Sequence, residues 1–253
     1  MRKHIPNLLT CINLVFGCYA CILALYGNYF GAMIAIMIAA GFDFADGFAA
    51  RLLNAFSPIG KDLDSLADIV SFGVAPGMIL FEFLDHTQKT IDWNYPVTGK
   101  LFLLVAFIIP VFSALRLAIF NNDSQQTSSF IGLPVPAHAL FWTSLIYVLS
   151  FSAGGSPIVG ILPQVIPFRL HGVSPIFMLL FITFLAIGSS LLLVSKIPMF
   201  SMKIKSPAWK SNEARYTLVV AAVVFIACFG FLGITLTIVL YILMSCFCTC
   251  SRH

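Results

Sequence analysis

Apolar residues fall in long blocks along this chain, each about 15–25 positions, separated by short breaks rich in polar residues, glycine or proline. Blocks of that length and uniformity predict membrane-crossing helices rather than the half-apolar helices of a soluble domain. The first, 6–26, opens on Pro6, where a missing N–H does no harm, and closes at Gly27-Asn28-Tyr29. The second covers 30–53, and after the break at Ser57-Pro58 a third runs to about residue 84. A polar loop at 85–100 precedes the block 101–120. Residues 121–129 and the two-proline turn from Gly132 to Ala137 precede 137–151, and a glycine- and proline-rich loop, 153–173, precedes 174–194. The last block, 216–244, is long for one span and short for two. Gly230 and Gly233 favour two short helices, giving eight spans, over one tilted helix.

Composition agrees: 60% of residues are hydrophobic and 9% charged, which excludes a soluble fold and predicts an all-α, polytopic integral membrane bundle. Arg2, Lys3 and His4 precede the first block, but no small-residue cleavage site closes it, so a retained span is expected and not a signal peptide. With eight spans and a cytoplasmic N terminus, eleven of the fourteen basic residues fall on the cytoplasmic side, leaving Lys89, Lys100 and Arg169 on the other. A net charge of +4 is accounted for by this bias and gives no reason to expect nucleic acid. Seven cysteines, mostly within the blocks, form no disulfide framework; Cys246, Cys248 and Cys250 at the last helix end read as small apolar residues, with metal binding or acylation as the alternative.

The exception to this apolar pattern is 43–68, which carries five of the ten acidic residues. Carboxylates at the edge of a span are costly unless they bind something. Asp43, Asp46, Gly47 and Ala50 lie at helical spacing on one stripe, and Gly60, Asp64 and Asp68 on another across the Ser57-Pro58 break, so the stripes can face each other at one depth. Four converging carboxylates repel unless divalent cations sit among them, and hard oxygen ligands select Mg²⁺, Mn²⁺ or Ca²⁺. The small residues leave room for a bulky group beside metals suited to a diphosphate. Asp62 points nearly the opposite way and is left out.

Other polar residues are ambiguous on spacing alone. Asn7 and Thr10 share a face at the level of the carboxylates and on spacing read as an interfacial cap. Arg116 is a snorkelling anchor or a clamp on a phosphate or carboxylate. His138, with no acidic neighbour in sequence, reads as a packed polar residue. Lys196 opens the densest basic segment, which a positive-inside signal largely explains, although a cation there suits a lipid diphosphate or anionic head group.

The spacing D-x2-D-G-x2-A-R-x8-G-x3-D-x3-D, here Asp43, Asp46, Gly47, Ala50, Arg51, Gly60, Asp64 and Asp68, resembles the signature of the CDP-alcohol phosphotransferases. The stretches Ile5–Thr10, Asp64–Pro76, Arg116–Asn121, Gly132–Ala137 and Ser195–Ser201 are similar to the bacterial and archaeal phosphatidylserine synthase branch of that family. The resemblance implies a six-helix core within 1–205, with 206–253 adding C-terminal helices, and a homodimer, while the charge bias places the site at the cytoplasmic face of the inner membrane. The resemblance further implies transfer of a phosphatidyl group from CDP-diacylglycerol to L-serine. Asp43, Asp46, Asp64 and Asp68 would hold Mg²⁺ or Mn²⁺, with Asp68 also the general base. Asn7, Thr10, Asp46, Gly47, Ala50 and Gly60 would surround the nucleotide, and Arg51, Arg116 and Lys196 would meet phosphate or serine. Two alternatives stay open: another acceptor alcohol such as glycerol 3-phosphate or inositol, and an ion transporter, for which carboxylates confined to one end give poor support.

Overall fold

The computed structural model describes residues 4–55, 57–89, 96–122, 130–152, 174–199 and 212–250. Helix α1 (Ile5–Leu25) turns through Gly27, at φ +67°, into α2 (Tyr29–Leu52), whose first turn is capped by Asn28 Oδ1 accepting from Gly31 N at 2.9 Å. Ser57 caps α3 (Pro58–Asp68), which continues through a π-helical turn, Ile69–Val74, into α4 (Ala75–Lys89). Next come α5 (Pro96–Leu103), a 3₁₀ turn (Leu104–Phe107) and α6 (Ile108–Asn122) as one rod, then α7 (Val135–Ser152) and α8 (Pro175–Val194). Finally α9 (Glu213–Phe229) and α10 (Leu232–Cys250) are parted at Gly230, φ +58°, so the 216–244 block is two helices, as its glycines predict. The 153–173 loop, the basic residues Arg2, Lys3, Arg169, Lys203, Lys205, Lys210 and Arg252, and the expected boundary at 205/206 lie outside the described residues, as do the side chains of Cys248 and Cys250.

Among the described residues, five helical runs are long and apolar enough to cross a membrane: 5–25, 29–52, 58–89, 100–122 and 175–194. Two shorter apolar helices, 135–150 and 232–246, accompany them. The 58–89 rod is central. Of its apolar window 61% is inside the protein, against between 22% and 33% for the other four, and Phe72, Ile79, Leu80 and Leu84 join Trp142, Ile146, Leu179 and Ile182 in the core. The outer faces remain apolar, with Leu8, Val15, Phe44 and Phe184 exposed, as lipid contact requires. The chain is a polytopic helical membrane protein.

Small residues set the closest approaches. A Cβ on Gly77 would stand 3.0 Å from Pro110 Cδ, and one on Gly73 would stand 3.2 Å from Ser113 Cβ, so α6 lies almost against the central backbone. The C-terminal pair docks on α7 through Ser144 Oγ and Thr235 Oγ1, 2.8 Å apart, and through Tyr147 against Phe231. His138 is a core residue, fully buried between α7 and α8, with Nε2 3.0 Å from Ser189 Oγ and 3.1 Å from Trp142 Nε1.

An antiparallel pairing of Phe130–Ile131 (β1) with Pro198–Met199 (β2) straps the ends of α7 and α8 together. Gly132 makes the strap possible: its φ is +77°, and a Cβ would lie 2.4 Å from Leu193 O. Gly132→Ala is therefore expected to cost about 1–3 kcal/mol in backbone strain alone. A lowered unfolding midpoint in detergent checks it; an unchanged midpoint contradicts this packing.

Candidate active site

Three carboxylates meet between the second half of α2 and the second half of α3. Asp43 on α2 and Asp64 and Asp68 on α3 each place one carboxylate oxygen within 4.8 Å of the other two. The Ser57 cap and Pro58 fix where α3 starts, and from there Asp64 and Asp68, one turn apart, face α2 while Asp62 is exposed. Asp46 is placed differently from the other three. It is buried, and its Oδ2 accepts from Thr10 Oγ1 at 2.5 Å, so it turns toward α1, although its charge still acts on Asp43, Asp64 and Asp68.

Around these carboxylates the walls are small. A Cβ on Gly47 would meet no atom within 4 Å, so the α2 wall is open there, and Ala50 follows on the same stripe. On the other side, Asn7 Oδ1 lies 3.0 Å from where a Gly60 Cβ would stand. The structure thus brings Asn7 to Gly60 and Thr10 to Asp46, joining the first helix to both halves of the motif.

The cations are more scattered. Arg51 is exposed, with Nε donating to Gly47 O at 2.9 Å, so it lies back along its own helix. Arg116 is 5% exposed and its guanidinium carbon is 5.4 Å from the Phe120 ring centre, an interior position that a snorkelling anchor would not take. Lys196 is exposed beyond α8, and no hydrogen bond or ion pair among the described residues joins it to the carboxylates. The end of α6 is fastened to α3: Asn121 Nδ2 donates to Ser65 Oγ at 2.7 Å, and Lys61 Nζ donates to Asn121 O at 3.0 Å.

Sequence reasoning missed Asn13, whose Nδ2 donates to Asp68 Oδ1 at 3.2 Å, and Ser71, whose Oγ donates to Asn13 O at 3.1 Å. The signal for Asn13 was present: Pro6, Thr10, Asn13 and Gly17 form a continuous buried stripe of small and polar residues on α1.

The donor set fits a hard divalent cation. Three carboxylate oxygens lie within the span that one ion's ligands occupy, and Asp64 Oδ1 is buried with no hydrogen-bond partner among the described residues. Like charges held this close in a poorly solvated site favour a cation between them.

A membrane-embedded helical bundle with clustered carboxylates and an adjoining open wall at one end defines a class suited to phosphoryl-type transfer on lipid substrates. The family model for CDP-alcohol phosphatidyltransferases matches residues 3–185, and the chain belongs to that family. It is 36% identical over 150 residues to the CDP-diacylglycerol–serine O-phosphatidyltransferase of Bacillus subtilis (strain 168), covering 59% of this chain and 77% of that one. It is 32% identical over 206 residues to the protein of the same description in Mycobacterium leprae (strain TN), covering 78% and 58%. The archaetidylserine synthase of Methanothermobacter thermautotrophicus is 32% identical over 149 residues, covering 58% and 59%. The chain thus spans less than two thirds of the length of the latter two.

Proposed function

We propose that this chain transfers the phosphatidyl group of CDP-diacylglycerol to the hydroxyl of L-serine, releasing CMP and leaving phosphatidylserine in the membrane. The observation that carries the reading is the Asp43, Asp64 and Asp68 cluster beside the open wall at Gly47, in a chain whose relatives are named for that transfer.

In this reading Asp43, Asp46, Asp64 and Asp68 would hold one or two Mg²⁺ or Mn²⁺ ions. When bound, the metal supplies charge neutralisation on the diphosphate. Asn7, Thr10, Asp46, Gly47, Ala50 and Gly60 line the nucleotide. Asp68, buried at the foot of α3, takes the proton from the serine hydroxyl. The serine oxygen bonds to the phosphorus that carries diacylglycerol, the bond from that phosphorus to the CMP oxygen breaks, and the electron pair leaves with CMP. Buried Arg116 meets the serine carboxylate or a phosphate, exposed Arg51 orients a carboxylate or touches a phosphate, and exposed Lys196 meets the lipid-linked diphosphate or anionic head groups.

The excess of basic residues on one side supports a cytoplasmic site and N terminus in the inner membrane. The catalytic unit is 1–205, with 206–253 as added helices, and it works as a homodimer, for which light scattering of the solubilised protein should return twice the protomer mass. The deciding experiment is CMP release by purified protein in mixed micelles of CDP-diacylglycerol with Mn²⁺ or Mg²⁺, offered serine, glycerol 3-phosphate or inositol. Serine alone should drive release, with phosphatidylserine as product. Release with another alcohol keeps the aspartate chemistry and overturns the acceptor.

A further inference from the structure

Asn13 lies in the middle of α1 with no exposed surface, and it spends its amide N–H on Asp68 Oδ1 at 3.2 Å. Its own Oδ1 is buried with no hydrogen-bond partner among the described residues. An amide left half-satisfied at this depth costs stability that an apolar side chain of the same size would not, so fold stability does not account for its presence.

The neighbouring contacts hold Asn13 at that point. Ser71 Oγ donates to Asn13 O at 3.1 Å, and Ser71 belongs to the π-helical turn that starts directly after Asp68. Its approach depends on Gly17, where a Cβ would stand 2.2 Å from Ser71 Oγ and 2.8 Å from Ser71 Cα. The α1 segment from Asn13 to Gly17 is thereby fixed to the last residue of α3 and to the π-helical turn that follows it, by one side chain and one main-chain carbonyl. π turns within α-helices often accompany functional sites, and this one sets the register of the bracket.

We propose that Asn13 is a positioning residue for the transfer: its amide holds one oxygen of Asp68, so that the other is presented to the acceptor hydroxyl. This rests on the reading of Asp68 as the general base. With no exposed surface, Asn13 acts through Asp68 and does not touch substrate.

The test uses full-length protein in mixed micelles with CDP-diacylglycerol, serine and Mn²⁺. Asn13→Leu keeps the γ-branched shape and removes the donor, and it is expected to lower kcat about 10- to 100-fold. Both KM values should stay within about threefold of the parent. Asn13→Gln, which retains an amide, should recover part of the loss. In an Asp68→Asn background, Asn13→Leu should add nothing, because the group it positions is already gone. Unchanged kcat in Asn13→Leu, a raised serine KM at full kcat, or a full further loss in the Asp68→Asn background each overturns the proposal. If Asn13→Leu does not fold, Ser71→Ala decides: a kcat lowered about three- to tenfold at constant KM supports the bracket, and full kcat overturns it. Should Asp68→Asn itself retain activity, the assignment of the base fails, a result distinct from any obtained at Asn13.

Discussion

Asp68→Asn is expected to reduce serine-dependent CMP release by about 10²–10⁴-fold, the usual contribution of a positioned general base. The substitution keeps size and helix propensity nearly constant, and α3 is anchored by its Ser57 cap and the Asn121–Ser65 contact, so loss of the helix does not explain such a result. Binding of CDP-diacylglycerol should survive, because Asn7, Thr10, Asp46 and Gly47 are untouched. The check is the initial rate of CMP release beside a ligand-binding measurement on the same monodisperse preparation. Residual activity within tenfold of the parent would move the base to another residue.

Asp43→Asn and Asp64→Asn should each raise the Mn²⁺ concentration needed for half-maximal rate by on the order of tenfold, since charge count and number of oxygen ligands set affinity for a hard cation. These two share the 4.8 Å cluster with Asp68, whereas Asp46 is turned to Thr10. Asp46→Asn should therefore shift the Mn²⁺ requirement less and the KM for CDP-diacylglycerol more. Asp62→Asn is the control. It lies on the exposed side of the same helix turn and should leave both parameters as they were. Rate against Mn²⁺ for the four variants separates the cases. If Asp62→Asn proved as damaging as Asp64→Asn, the inward face of α3 would be wrongly drawn.

Much of this arrangement was legible in the residues because a helix has a fixed period. Asp43 with Asp46, and Asp64 with Asp68, had to share faces once the blocks were read as helices, and Ser57-Pro58 had to separate them. Asp62 fell on the far side for the same reason. The division of the last block at Gly230 was likewise local, since a positive φ is what glycine permits at a helix end.

What periodicity leaves open is the rotation of each helix against neighbours distant in sequence. Asn13 and Asp68 are 55 positions apart, and Thr10 and Asp46 are 36 apart. Nothing within either segment specifies those pairings. The sequence by itself determined a helical membrane bundle, a carboxylate site at one end, and the family to which the chain belongs, because length, apolar content and spacing along one helix are local properties. Only the tertiary structure decided that Asp46 accepts from Thr10, that Asn13 grips Asp68, that Arg116 is interior, and that Gly132 closes the strap. Each of those depends on how closely two backbones approach, which is set by packing between elements and not by the order of residues within one.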